Sequence, residues 1–181
     1  YPDRVDPKYG ASPRAIMERN LRECRSYAMF FSEKSGNLLL FGSTGLGKTF
    51  LSACIARAVA DRGYSVAYET ASSLFNKMER ARFERDEQCR MDTESALAAD
   101  LLIVDDLGTE MPGQFTNVAL YSLINDRLLA GKPTIISTNL STEDIARRYT
   151  PQIASRLRGS YKRVPFAGDD IRILKNGGLS L

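Results

Sequence analysis

A glycine-rich turn followed by a lysine and a threonine is the feature of this chain best suited to chemistry. Residues 42–49 read GSTGLGKT, which fits the spacing G-x-x-x-x-G-K-[ST]. Glycines let the backbone curl so that successive N–H groups point inward around phosphates, where a side chain would block them. Lys48 is suited to neutralise the β- and γ-phosphates, and the Thr49 hydroxyl is suited to Mg²⁺. The predicted phosphate-binding residues are Gly42, Ser43, Thr44, Gly45, Leu46, Gly47, Lys48, Thr49 and Phe50.

Two adjacent carboxylates supply the second half of such a site. Residues 101–106 read LLIVDD, an apolar run that ends in Asp105 and Asp106. We expect Asp105 to hold Mg²⁺, directly or through water, and Asp106 to orient or deprotonate the attacking water. A kinase would need a pocket for an acceptor instead. The alternative interpretation of the pair is two solvated charges at the end of a strand.

Short apolar runs alternate with helical segments along the chain. We predict strands at residues 38–41, 65–69, 101–105, 134–138 and 163–166. We predict helices at residues 13–31, 49–62, 72–90, 114–130 and 151–158, with a further short helix capped by Ser141. Apolar strands that alternate with helices indicate a parallel sheet covered by helices on both faces.

The composition excludes several other kinds of site. The chain has no histidine, which removes Ser-His and Cys-His nucleophilic catalysis and histidine-ligated zinc. Cys24, Cys54 and Cys89 form no CxxC pair, so we expect no metal or disulfide framework and a reducing, cytoplasmic setting. No apolar run reaches the roughly 18 to 20 residues that cross a bilayer, so we expect no membrane contact. The net charge of +3 permits contact with nucleic acid without arguing for it.

Three further motifs give the chain a family resemblance. Residues 135–139 read IISTN, and Asn139 resembles the sensor 1 position of AAA+ ATPases, where a polar side chain holds the attacking water. Residues 154–158, ASRLR, are similar to the AAA+ box VII, and residues 166–172, FAGDDIR, resemble a sensor 2 segment. Together with the GKT and DD motifs, this ordered set resembles the AAA+ ATPase domain of DnaC/DnaI-type replicative helicase loaders. The IstB-type transposition helper ATPases are close relatives of that family.

The resemblance implies a fold, a domain organisation and cofactors. The fold would be the three-layer α-β-α P-loop NTPase fold, with a five-stranded parallel sheet in the order 5-1-4-3-2. Too few residues follow the last predicted strand for a substantial helical lid. Residues 1–36 would be a lead-in and a helix packed on the core, and residues 37–181 the ATPase domain. The cofactors implied are ATP and Mg²⁺.

The resemblance also implies roles for individual residues. Hydrolysis would depend on Asp105, Asp106 and the sensor-like asparagine, and Arg156 would reach into the nucleotide of a neighbouring subunit. Arg158 is the nearest competitor for that role. Arg172 would reach the γ-phosphate only in an assembled state, or act structurally. A typical AAA+ protein has Asp-Glu where this chain has Asp-Asp, although this branch often has Asp-Asp.

The partners implied are the replicative DNA helicase, single-stranded DNA and further copies of the chain. In this family a separate N-terminal domain contacts the helicase, and we expect it to be absent from this chain. Five basic residues of the segment 72–90 would suit DNA phosphates: Lys77, Arg80, Arg82, Arg85 and Arg90. Acidic residues alternate with them, so a solvated helix face is an equal alternative.

Three other functions stay open on the sequence. One is a transposition helper on the same fold. Another is a DNA- or partner-binding module that uses nucleotide as a switch and barely hydrolyses it. The third, a small-molecule P-loop kinase, is disfavoured by Asn139 and the arginines of box VII.

Overall fold

The structure is a computed structural model that describes residues 3–7 and 9–171. In this part of the chain strands and helices alternate. The strands are β1 (Asn37–Phe41), β2 (Val66–Thr70), β3 (Leu101–Leu107), β4 (Thr134–Thr138) and β5 (Tyr161–Pro165). The helices are α1 (Pro13–Met29), α2 (Lys48–Ala60), α3 (Ala71–Phe83), α4 (Glu87–Ala98), α5 (Gln114–Leu129), α6 (Thr142–Arg148) and α7 (Pro151–Ser160).

The five strands form one parallel sheet in the order β2-β3-β4-β1-β5. This confirms the predicted order 5-1-4-3-2, read from the opposite edge. β1 lies between β4 and β5, so that Leu39 pairs with Ile136 on one side and with Arg163 on the other. Parallel strands end at the same edge of a sheet, and the loops that follow β1, β3 and β4 are therefore neighbours.

Helices cover both faces of the sheet, as the run of apolar residues in each central strand requires. Leu38 and Leu40 of β1 pack in the layer that contains α1 and α2, and Leu39 packs in the opposite layer with α3, α5 and α7. This alternation follows from the pleat of the strand, in which successive side chains point to opposite faces. β1 is therefore held between two apolar layers.

The charged segment 72–90 is two helices, and the prediction of a single helix was wrong. α3 ends at Phe83, and Arg85 has a φ of +55°, which no helix residue adopts. Asp86 then caps α4 by accepting a hydrogen bond from the Cys89 N–H at 3.0 Å. Aspartate is a favoured N-cap residue, but this one lies within a run of charged residues, so the sequence did not mark it as the start of a new helix.

No helical lid follows β5 within residues 3–7 and 9–171. Residues 166–171 instead run back over the loop that follows β1. The Phe166 N–H donates to the Phe41 carbonyl at 2.7 Å, and the Ile171 N–H donates to the Gly45 carbonyl at 3.0 Å. Arg172, predicted as a sensor 2 residue, lies outside the described residues.

None of the described helices has the length and apolar character that crossing a membrane requires.

Candidate functional site

The loop between β1 and α2 is built on three glycines with positive φ. The angles are 147° at Gly42, 73° at Gly45 and 91° at Gly47. A Cβ at Gly42 would lie 2.2 Å from the Phe166 carbonyl oxygen, and one at Gly45 would lie 2.0 Å from the carboxyl carbon of Asp170. Both the backbone conformation and the close approach of residues 166–171 therefore require glycine here.

Lys48, the first residue of α2, lies across this loop. Its side chain is buried, and Nζ donates to the carbonyls of Gly42 and Ser43, both at 2.7 Å. Gly47 caps α2 without a side-chain hydrogen bond, so the positive end of the helix faces the loop. Leu46 is buried in the core, which leaves its backbone for any contact with an anion. An ammonium group and a helix N-terminus at one turn favour an anion.

A cavity of about 970 Å³ adjoins this loop, within the upper part of the size range of small-molecule sites. One side is formed by the loop and the start of α2, residues 44–51, and by Asp106. The other side is formed by α1, where the apolar Met17 and Leu21 lie beside the charged Arg14 and Glu18, and by Ile171. The cavity therefore combines one end suited to phosphates with one suited to a planar base.

The two adjacent carboxylates have different surroundings, and β3 is irregular where they stand. The register of β3 against β4 shifts between Val104 and Leu107, which is the signature of a β-bulge. Asp106 has a φ of +54°, is exposed and lines the cavity. Asp105 is buried, and its Oδ1 accepts a hydrogen bond from the Ser137 hydroxyl. One carboxylate therefore lines the cavity, and the other lies inside the protein.

Tyr68 and Ser52 belong to the site although the sequence motifs did not identify them. The Tyr68 hydroxyl lies 3.0 Å from Ser52 Oγ, which donates to the Thr49 carbonyl at 3.0 Å. Burial raises the pKa of Tyr68 to about 12; the Ser52 hydrogen bond opposes this rise, and the charges of Asp105 and Asp106 add to it. The only sequence signal for this part of the site was a tyrosine, an aromatic residue with a polar hydroxyl, near the carboxyl end of β2.

Asn139 stands exposed directly after β4, beside the turn that follows β3. Its Oδ1 lies 3.6 Å from the place where a Cβ of Gly108 would be. A second cavity, of about 820 Å³, extends from Asn139 past residues 41–43 to Arg158 and Arg163. The structure therefore brings the ends of β1, β3 and β4 together, with one predicted polar residue from each.

The two arginines of α7 face different surroundings. The buried face of α7 is formed by Ile153, Ala154 and Leu157, so both arginines lie on its outer side and are exposed. Arg158 lines the second cavity. Hydrogen bonds at the α6 N-terminus are the main cause of the lowered pKa of Glu143, and the charge of Arg158 lowers this pKa further. Arg156 is exposed and lines neither of these two cavities.

The basic residues of α3 and α4 divide into two groups. Lys77, Arg80 and Arg90 are held in ion pairs. Their partners are Glu69 and Asp92 for Lys77, Glu84 and Asp86 for Arg80, and Glu87 and Glu94 for Arg90. Arg82 and Arg85 are exposed, and neither has an ion pair within the part of the chain that the structure describes. Of the five, these two are therefore not held by carboxylates, although the Arg82 guanidinium lies 5.7 Å from the centre of the Phe83 ring.

The residues expected to hold a metal ion suit Mg²⁺ only together with phosphates. Among residues 3–7 and 9–171, no three acidic, cysteine or histidine side chains gather into a metal-binding cluster. Thr49 and Phe50 are exposed at the start of α2 and line the large cavity, whereas Asp105, the carboxylate expected to hold Mg²⁺, is buried and does not line it. Mg²⁺ is usually held by one or two carboxylates plus substrate phosphates and water, which fits this donor set.

Comparison with known proteins identifies relatives along most of the chain. The family model of the IstB-like ATP binding protein matches residues 9–156. The replicative helicase loader DnaC of Escherichia coli K12 is 26% identical over 156 residues, which are 84% of this chain and 62% of DnaC. A putative insertion sequence ATP-binding protein of Sinorhizobium fredii is 37% identical over 98 residues, 52% of this chain and 31% of that protein.

A solved structure shares the fold. The crystal structure of the DnaC helicase loader superimposes with a TM-score of 0.75 at 23% identity, covering 84% of this chain and 90% of that chain. At this identity the likeness shows the fold alone. The chain spans less than two thirds of the length of the curated DnaC that it matches.

Proposed function

Because the chain belongs to the IstB-like ATP binding protein family, we propose that it is the ATP-hydrolysing AAA+ domain of a replicative helicase loader. In this proposal residues 37–181 form the ATPase domain, which assembles on single-stranded DNA and helps to place the replicative helicase on it. The observation that carries the proposal is the meeting at one edge of the sheet of the glycine loop, which lines both cavities, with Asp106 in the large cavity and Asn139 in the second. The similarity to DnaC over most of the chain supports the choice of a helicase loader.

The triphosphate is proposed to lie along the loop, with its phosphates on the backbone N–H groups and on the start of α2. Lys48, which now donates to two loop carbonyls, turns its ammonium group to the β- and γ-phosphates. The base packs on the apolar wall of α1, formed by Met17 and Leu21. Thr49 and Asp105 hold Mg²⁺, which when bound neutralises charge on the phosphate oxygens.

Hydrolysis is assigned to Asp106, which lines the large cavity, and to Asn139, which lines the second cavity. Asp106 orients a water molecule or accepts its proton, since its carboxylate is exposed and faces the loop. Asn139 holds the same water from the neighbouring strand end. Arg156 of an adjacent subunit completes the site, because an arginine supplied in trans stabilises the charge that develops on the transferred phosphoryl group.

The test is steady-state ATP turnover with Mg²⁺, with and without single-stranded DNA, for the wild-type protein and two variants. Asp106→Asn removes the proposed proton acceptor and should abolish most turnover while ATP still binds. Asp126→Asn removes an equally exposed carboxylate on α5 and should leave turnover unchanged. Stimulation by DNA and capture of the host's replicative helicase by the full-length protein would support the loader. Absence of both stimulation by DNA and Asp106-dependent turnover would favour a nucleotide-operated switch.

A transposition helper is the second candidate, supported by the similarity to an insertion sequence ATP-binding protein. The fold and the phosphate site serve both functions equally, so the ATPase assay cannot separate them. The same capture experiment does separate them when the transposase of a neighbouring insertion sequence is offered beside the helicase. Retention of the transposase alone would replace the loader with the helper.

A further inference from the structure

One buried hydroxyl group contacts both members of the carboxylate pair. Ser137 lies on β4 and is fully buried. Its Oγ donates to Oδ1 of Asp105 and accepts a hydrogen bond from the Asp106 N–H at 2.9 Å. A hydroxyl has one proton to give and lone pairs to accept with, so these two bonds use it as donor and acceptor at once.

The bulge in β3 explains why this contact matters. Residues inside a bulge lose their regular partners in the strand ladder, and here the shift falls between Val104 and Leu107. Asp106 has a φ of +54°, an unfavourable conformation for a non-glycine residue that persists only when its surroundings enforce it. The hydrogen bond to Ser137 fixes the N–H of this strained residue and so the direction of its side chain.

The same hydroxyl fixes the buried carboxylate. Asp105 lies against β4, where it accepts from Ser137, and its charge also acts on the Tyr68 hydroxyl of β2 on the other side. A charged acceptor makes the Ser137 hydrogen bond a strong one, and burial protects it from competition by water. One side chain on β4 therefore sets the position of two on β3.

We propose that Ser137 is the positioning residue that holds Asp105 in place for Mg²⁺ and Asp106 in place for water. Ser137 does not touch the nucleotide in this proposal, and it acts through the two carboxylates. The inference rests on the proposed ATPase function, because it concerns the same site.

Two variants test this role. Ser137→Ala removes the hydroxyl and changes little else. Thr134→Val is the matched control: Thr134 is also a buried hydroxyl residue of β4, and its Oγ1 accepts a hydrogen bond from Arg127 at 2.8 Å at the opposite end of the strand. The control lowers stability without touching the carboxylates. Three quantities are measured for each protein: amide hydrogen exchange at Asp106 without nucleotide, affinity for a fluorescent ATP analogue in EDTA, and turnover against Mg²⁺ concentration.

The expected pattern separates positioning from stability. In Ser137→Ala, the hydrogen of the Asp106 amide should exchange at least about tenfold faster than in wild type, because the hydroxyl that accepts its hydrogen bond is gone. Turnover should fall about 10- to 100-fold and need more Mg²⁺, as when other partners that orient catalytic groups or metal ligands are removed. Affinity in EDTA should stay within about twofold of wild type, because the loop and Lys48 are unchanged. Thr134→Val should resemble wild type in all three.

Two results would overturn the role of Ser137: unchanged exchange at Asp106 in Ser137→Ala, or an equal loss of turnover in Thr134→Val. Failure of the proposed function looks different. In that case the wild-type protein itself does not bind the ATP analogue or does not hydrolyse ATP, while the amide exchange rates still report whether Ser137 fixes Asp106.

Discussion

Asp106 combines an unfavourable backbone conformation with the position best placed for chemistry. Its φ of +54° lies in the left-handed region, where a Cβ costs an ordinary L-residue about 1–2 kcal/mol and aspartate and asparagine are tolerated better than most. Such strain concentrates at functional sites, where the surrounding structure enforces it. The carboxylate of Asp106 is therefore retained at some expense to stability, which is consistent with a role in catalysis.

This strain gives a prediction that is independent of activity. Asp106→Gly should be more stable than Asp106→Ala by about 1 kcal/mol, because glycine adopts a positive φ freely and alanine does not. The measurement is urea unfolding of both variants at neutral pH. The same pair of substitutions at Asp126, inside α5, should give the opposite order, since alanine is favoured in a helix. Alanine equal to glycine at position 106 would mean that the strain is absent in solution.

At this scale the sequence predicted where the proposed phosphate-site residues lie in the fold but could not predict what holds them. Lys48 and Asp105 follow from motif spacing, because a loop and a strand end leave few choices for their position. Ser137 and Tyr68 carry no motif. Their roles arise from a bulge in β3 and from the neighbouring strands β4 and β2, which are tertiary features.

Among the helices, α4 depends on a cap that titrates. Hydrogen bonding to the Cys89 amide lowers the pKa of Asp86 below its usual value of 3.8. A carboxyl group whose pKa is lower in the folded state stabilises the fold above its unfolded pKa, and this contribution is lost as the pH falls through the folded pKa. We therefore expect stability to fall from about pH 5 toward pH 2.

Substitutions at Asp86 check this expectation. Asp86→Asn keeps a good cap and removes the titration, so its urea midpoint should fall less steeply with decreasing pH than that of wild type. Asp86→Ala loses the cap and should have a lower midpoint already at pH 7. Circular dichroism across the pH series measures both. A wild-type slope in Asp86→Asn would show that other carboxylates carry the acid sensitivity.

Under the proposed function, the expected DNA contacts of this segment are Arg82 of α3 and Arg85 of the turn after it, which have no ion pair among the described residues. Arg82→Ala/Arg85→Ala should weaken binding of single-stranded DNA and reduce the slope of log affinity against log salt by about 0.7 for each phosphate that is no longer neutralised. Arg80→Ala/Arg90→Ala removes the same number of charges from residues already engaged in ion pairs, and should have a smaller effect. Fluorescence anisotropy at several salt concentrations makes the comparison. Equal effects of the two double variants would rule out a special role for the α3 end.

The elements themselves were largely predictable. Apolar runs indicated all five strands, and the family resemblance indicated their order, because buried parallel strands have a strong and continuous sequence signal. The exception was the segment 72–90, where evenly spread charges hide the break at Arg85 and Asp86. A solvated helix pair has little hydrophobic periodicity to mark its ends, and the short cap signal was the only evidence.

The whole molecule is proposed to share each active site between two copies, and a mixing experiment tests this directly. Lys48→Ala should fail to bind ATP, and Arg156→Ala should bind ATP but hydrolyse it slowly. Mixing the two should restore part of the turnover, because a Lys48→Ala subunit still offers Arg156 to a neighbour with an intact loop. Arg158→Ala mixed with Lys48→Ala provides the comparison for the competing arginine. A mixture no more active than its separate components would place the finger within the same subunit or exclude it.

Residues 166–171 touch the nucleotide loop at two of its glycines, through the Phe166 carbonyl beside Gly42 and the Ile171 N–H bonded to Gly45. A segment that rests on a ligand site is thermodynamically coupled to that ligand. If nucleotide binding displaces this segment, then a partner that also displaces it must strengthen nucleotide binding. The factor equals that by which the nucleotide strengthens binding of the partner, because linkage between two binding events is reciprocal. A partner that displaces residues 166–171 would therefore raise the affinity of the site for nucleotide, and bound nucleotide would raise the affinity of the chain for that partner.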